Sequence, residues 1–279
     1  VRPRIFDYST SYVNPYVSME YYAYHTVHEL FLYGDLTLQQ WIDIFNRIRF
    51  VCDDFKRYTV QDANIRQALE EMYLTKTLQR FEKMKKDERF LAFFESPITV
   101  NGKKYQPLEK IIVALETAIP EMLYDVDTFN IIHGDLCFAN IMVDSNFSFI
   151  KVIDPRGKFG TYDIYGDFRY ELAKLFHSVD GKYDFIIKDL FDLDYNIETS
   201  CINYRIQDRK REFNLYKVFL DTFAAEIGND LRKVELIEAL LFLSMIPLHG
   251  ESIRHQMVML GTGLEILNRV VNIQVEGEE

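Results

Sequence analysis

Glycine and proline are scarce, at 12 and 7 of 279 residues, so the chain has few places for long irregular connections. Cysteine occurs three times (Cys52, Cys137, Cys201), widely spaced and with no C-x-x-C or Cys/His pattern, which argues against a disulfide framework or a zinc site. That sparse, odd set fits free thiols in a cytoplasmic setting. No apolar run reaches the ~18–20 residues of a membrane span, and the first residues carry no signal-peptide pattern. Net positive charge is also missing. At −11 the chain is acidic, which argues against nucleic acid as the main partner. There is no glycine before Gly34 and no lysine before Lys56.

What the chain has is bulk: 48% hydrophobic residues, with 22 Phe and 18 Tyr, enough for a large helix-rich core. Residues 37–56 carry apolar side chains at 38, 41, 42, 45, 48 and 52, the period of a helix, with Thr37 placed to cap it. Trp41, the one tryptophan, falls on that face and reads as packing. Residues 68–94 form a second helical region whose K-M-K-K-D-E-R run reads as a solvated face. Asn101-Gly102 marks a tight hairpin, and 108–124 a further helix containing Pro120. From 183 onward the pattern reads as helices, notably 215–227, 231–246 and 253–271, before a V-E-G-E-E tail expected to fray.

The chemistry concentrates in I-I-H-G-D-L-C-F-A-N-I-M-V-D-S-N-F-S-F-I-K-V-I-D, residues 131–154. A short apolar strand at 129–132 leads into His133, Gly134 and Asp135, with Asn140 five residues beyond the aspartate. Two short strands, 141–143 and 149–153, are joined by the turn at Asp144-Ser145-Asn146, and the second ends at Asp154-Pro155. Phosphoryl transfer from ATP needs a carboxylate to orient and deprotonate the acceptor hydroxyl, and oxygen ligands for Mg²⁺. Asp135 suits the first role and Asn140 with Asp154 the second, at the spacing of the protein-kinase H-R-D-L-x-x-x-N loop. Gly134 stands in place of that arginine, and Pro155 in place of the phenylalanine of D-F-G.

The variant H-G-D-L-x-x-x-N followed by I-D-P resembles the aminoglycoside phosphotransferase and choline kinase superfamily of small-molecule kinases. The resemblance implies an α+β, protein-kinase-like fold: residues 1–36 as the end of an N-terminal lobe and hinge, and 37–279 as a mostly helical C-terminal lobe bearing a short catalytic β-hairpin. It implies Met19, Glu20, Tyr21 and Tyr22 as the hinge beside the adenine of ATP, and His133 as a loop-bracing residue. Asp167, with Asp163 second, matches the aspartate that braces the catalytic loop; a plain helix N-cap is the competing reading. Arg156 and Arg169 place positive charge near the site, for an anionic acceptor or for the transferred phosphoryl group. In such kinases the C-terminal helices build acceptor specificity, which makes His249, Glu251 and Arg254 candidate contacts. Residues 1–15 cannot hold the phosphate loop, lysine and glutamate of an upper lobe, so an upstream portion in the intact protein is expected.

The expected activity is therefore ATP- and Mg²⁺-dependent transfer to a hydroxyl of a small molecule: an aminoglycoside, a choline-like alcohol or a sugar. A pseudokinase-like domain that binds nucleotide without transferring is the rival. A protein kinase is disfavoured by Gly134, by I-D-P and by the lack of an A-P-E segment.

Overall fold

Thr37 opens its helix as the sequence predicts. Its hydroxyl accepts from the Gln40 N–H at 3.3 Å while the Gln40 amide oxygen accepts from the Thr37 N–H at 2.8 Å, a capping box. The helix runs Leu38–Lys56 and buries Trp41, Ile44, Phe45, Ile48, Val51 and Cys52. In the computed structural model, which describes residues 3–275, this face packs under the strands Phe129–Ile131 and Ile150–Val152 and against the helix Leu215–Thr222. The end of the tail, 276–279, lies outside the described residues.

The architecture is α+β, with small sheets set among helices. His25–Thr26, Ile141–Val143 and Ile150–Val152 form one antiparallel sheet; Tyr165–Gly166, Phe129–Ile131 and Thr59–Val60 form another. Ile5–Ser9 and Tyr16–Met19 pair as an antiparallel hairpin with most of its apolar side chains exposed. Asn101 and Gly102 both take positive φ (49° and 81°), the left-handed pair that joins Ile98–Val100 to Lys103–Tyr105.

Two readings are corrected. The stretch after residue 183 is not helical throughout: Phe191–Asn196 and Cys201–Ile206 form an antiparallel hairpin, and the second strand pairs in parallel with Ile98–Val100. The signal was the two-residue alternation of Leu193 and Tyr195, then of Ile202, Tyr204 and Ile206. In the 68–94 region a π-helical segment, Glu70–Thr75, interrupts helical geometry just before the helix Lys76–Lys85. Such widened turns occur mostly as local insertions at functional sites.

Two features fix the segment 133–140 from beneath. Phe138 enters an aromatic cluster, meeting Phe31 edge-on at 5.3 Å and lying near-parallel to Trp41 at 6.2 Å. The helix Phe168–Val179 is buried along its whole length, Arg169, Glu171, Lys174 and His177 included. Charges placed there need partners, and those partners build the site. No helix among the described residues is long and apolar enough to cross a membrane.

Candidate active site

The strand Phe129–Ile131 delivers the loop at 133–140 onto the buried Phe168–Val179 helix. There the Glu171 carboxylate accepts the backbone N–H of His133 at 2.9 Å and that of Gly134 at 2.7 Å. Asp135 follows directly, its Oδ1 2.7 Å from the Lys174 ammonium. Asn140 Nδ2 donates to the Asp135 carbonyl at 2.9 Å and to its Oδ2 at 3.1 Å. The loop is tied to the second hairpin strand at two points: the Ile153 N–H donates to the Asn140 carbonyl at 3.0 Å, and His133 Nε2 pairs with the Ile153 carbonyl at 2.9 Å. Asp154 comes next with φ +55°, a left-handed conformation that Asp tolerates better than most residues. Among the described residues no hydrogen bond or ion pair engages its exposed carboxylate.

Gly134 has a geometric reason. Its φ is +78°, and a Cβ there would stand 2.9 Å from Arg156 Cβ. Arg156 is held at that spot because its N–H donates to the His133 carbonyl at 2.9 Å. Gly134→Ala is expected to cost about 1–2 kcal/mol from the left-handed backbone alone, with more from displacing Arg156. Urea unfolding of the variant checks this, and an unchanged midpoint would refute the geometric account.

Burial sets the ionisation of the support. It pushes the Glu171 carboxyl up to about 7 against the two backbone N–H donors that favour the charged form. Burial also opposes the Lys174 ammonium, but its neighbours Tyr170 and Asp135 outweigh that and hold its pKa above the ordinary lysine value. Cys137, inside the loop, is pushed up to about 12, chiefly by burial and then by Asp135, so it stays a thiol.

The other sequence candidates fall in four places. Met19, Glu20, Tyr21 and Tyr22 line a cavity of about 590 Å³ whose far wall includes Met142, Val152 and Asp154. Glu20 spends its N–H on the Arg4 carbonyl at 2.8 Å, and its carboxylate takes the Arg4 N–H at 3.2 Å. Tyr21 and Tyr22 make no backbone hydrogen bond among the described residues. Arg156 lies beside the loop with Nη1 donating to Tyr170 Oη at 2.9 Å.

Asp167 and Arg169 need correction. Asp167 caps its helix by accepting the Arg169 N–H and accepts the Tyr73 hydroxyl at 2.9 Å. The loop-bracing acid is Glu171, one turn further on. Arg169 is no acceptor contact: it is buried, its guanidinium committed to Asp167, Asp125 and the Leu123 carbonyl. His249 pairs with Glu251 at 3.0 Å and lies 3.4 Å from the Tyr183 hydroxyl, while Arg254 sits over the Phe191 ring at 5.3 Å. None of these three contacts Asp135 among the described residues.

Sequence reasoning missed Glu171 and Lys174. The available signal was the run of charges Asp167, Arg169, Glu171 and Lys174 set among apolar residues in D-F-R-Y-E-L-A-K-L-F.

No family model matches the sequence, and no curated protein matches it. Among solved structures the chain is similar to a glucosamine kinase in complex with glucosamine, ADP and inorganic phosphate, at 12% identity and a TM-score of 0.49, over 96% of this chain and 64% of that one. It is also similar to a choline kinase from Cryptosporidium parvum Iowa II, at 13% identity and a TM-score of 0.43, over 96% of this chain and 72% of that one. The chain thus spans less than two thirds of the glucosamine kinase.

Proposed function

We propose that this chain carries the catalytic centre of an ATP-dependent phosphotransferase acting on a hydroxyl of a small molecule. The observation behind this reading is the joint placement of Asp135, Asn140 and Asp154. The bonds from His133 and Asn140 to Ile153 link the loop of Asp135 and Asn140 to Asp154, which itself lines a cavity with apolar walls. Adenine fits such a cavity, with the backbone groups of Tyr21 and Tyr22, unspent among the described residues, as its hydrogen-bond partners.

The oxygen donors suit Mg²⁺. Asn140 gives its amide nitrogen to Asp135, which leaves its side-chain oxygen as a ligand, and the Asp154 carboxylate has no partner among the described residues. When bound there, the ion neutralises charge on the ATP phosphates. Asp135 orients the acceptor hydroxyl and takes its proton as the oxygen bonds to the γ-phosphorus and the bond to ADP breaks. Lys174 fixes one carboxylate oxygen of Asp135 and Asn140 the other, so the base is preoriented.

Calorimetric titration with MgATP tests the metal and nucleotide assignment. Asp154→Asn is the better probe, since Asn tolerates the positive φ that Ala does not. Its affinity for MgATP is expected to fall at least ~10-fold, about 1.4 kcal/mol, and wild-type binding should weaken likewise without Mg²⁺. Undiminished binding in the variant would remove Asp154 from the metal site.

A further inference from the structure

Around Asp135, positive charge accumulates beyond what the carboxylates there balance. Lys174 already pairs with Asp135. Arg156 is clamped beside Gly134 and donates to Tyr170, which lies one helical turn before Lys174. The helix Lys76–Lys85 continues from the π-helical segment whose Tyr73 ring lies 6.5 Å from that of Tyr170, and it adds Lys76 and Arg80, four residues apart and so on one face. Both are half-buried, and neither makes an ion pair or hydrogen bond among the described residues.

Lys76 is pushed down to about 7, first by burial and then by the positive charge of Arg156, Lys174 and Arg80, while Asp135 pulls the other way. All five groups therefore share one electrostatic neighbourhood. A half-buried lysine without a counter-ion opposes folding, so its place next to a catalytic carboxylate has to be explained by what it meets there. Adenine does not account for it: the cavity assigned to adenine is lined by no lysine or arginine, and its charged lining residues are Glu20 and Asp154.

Building on the kinase reading above, we propose that the acceptor is an anionic alcohol, a hydroxylated compound bearing a phosphate or carboxylate group. Lys76, Arg80 and Arg156 bind the anionic group while the hydroxyl meets Asp135. The anionic group takes no part in the transfer. A cationic alcohol of the choline or amino-sugar kind meets like charge at this position and is disfavoured.

The test is direct binding, without nucleotide, of glycerol 3-phosphate, glucose 6-phosphate, glycerate and glucuronate, against choline, glucosamine and glycerol as cationic and neutral counterparts. At least one anion is expected to bind, and to weaken tenfold or more in Lys76→Met and in Arg80→Gln. Binding should be tighter at pH 6 than at pH 8, as Lys76 takes up its proton. The phosphate and carboxylate arms tell which anion the site takes. Lys76→Met should melt no lower than wild type, so a loss of binding is not a loss of fold. The same samples are titrated with MgATP. If MgATP binds and no anion does, or if choline binds best, the acceptor inference falls and the kinase reading stands. If the two variants lose MgATP instead, the cations serve the nucleotide and the inference falls. Failure of wild type to bind MgATP takes down both.

Discussion

Asp135→Asn is expected to lower phosphoryl transfer by 10²–10⁴-fold, the usual contribution of a positioned general base, while MgATP binds as in wild type. The amide keeps the shape of the carboxylate and the contact with Asn140, but it takes no proton and offers Lys174 no charge. Because Lys174 is buried, the variant also loses stability, about 1.5–3 kcal/mol for a charged hydrogen bond. The double variant Asp135→Asn/Lys174→Met separates the two effects: deleting the stranded ammonium should recover part of the stability and none of the turnover. Turnover is read as ADP release with the alcohols above. A wild-type chain that binds MgATP yet has no turnover to lose is the nucleotide-binding rival, and Asp135 is then a structural acid.

The core of the site was legible because it is local. His133, Gly134, Asp135, Asn140 and Asp154 fall within 22 residues, with apolar strands around them that set their order in space. Thr37 and Asn101-Gly102 were legible for the same reason, since a cap and a tight turn each depend on residues three or fewer apart. The supports were not legible, because their partners are tertiary. Glu171 lies 37 and 38 residues from the N–H groups that it accepts. Sequence placed an acid on the right helix but chose Asp167, one turn early, whose carboxylate turns to Tyr73 and Arg169 instead. Arg169 was misread by proximity along the chain. It follows the loop that carries Asp154, but its guanidinium reaches Asp125 and the Leu123 carbonyl. Lys76 and Arg80 lie some 60 residues before Asp135, in a region that reads as plain amphipathic helix, and their environment emerges only after folding.

Glu171→Ala is expected to give the largest loss of stability among these variants. It leaves the His133 and Gly134 N–H groups buried without acceptors, and each orphaned donor costs about 1–3 kcal/mol, so roughly 2–6 kcal/mol in all. Glu171→Gln should fall between the variant and wild type, because its amide oxygen satisfies one N–H while its NH₂ confronts the other. The pH dependence separates a bracing acid from mere packing. Burial raises the folded-state pKa of Glu171 to about 7, above the usual 4.5. Between those values the folded chain holds a proton that the unfolded chain has released, so the contribution of Glu171 to stability declines as pH rises through that window. Urea unfolding at pH 5 and pH 8 should therefore show a wild-type decline that Glu171→Gln reduces. The catalytic readout comes with it: a loosened loop lowers turnover in Glu171→Ala, whereas Asp154 and the adenine cavity keep their affinity for MgATP. If Glu171→Ala unfolds at the wild-type urea concentration with its turnover intact, Glu171 does not hold the loop, and the helix Phe168–Val179 loses its place as the platform of the site.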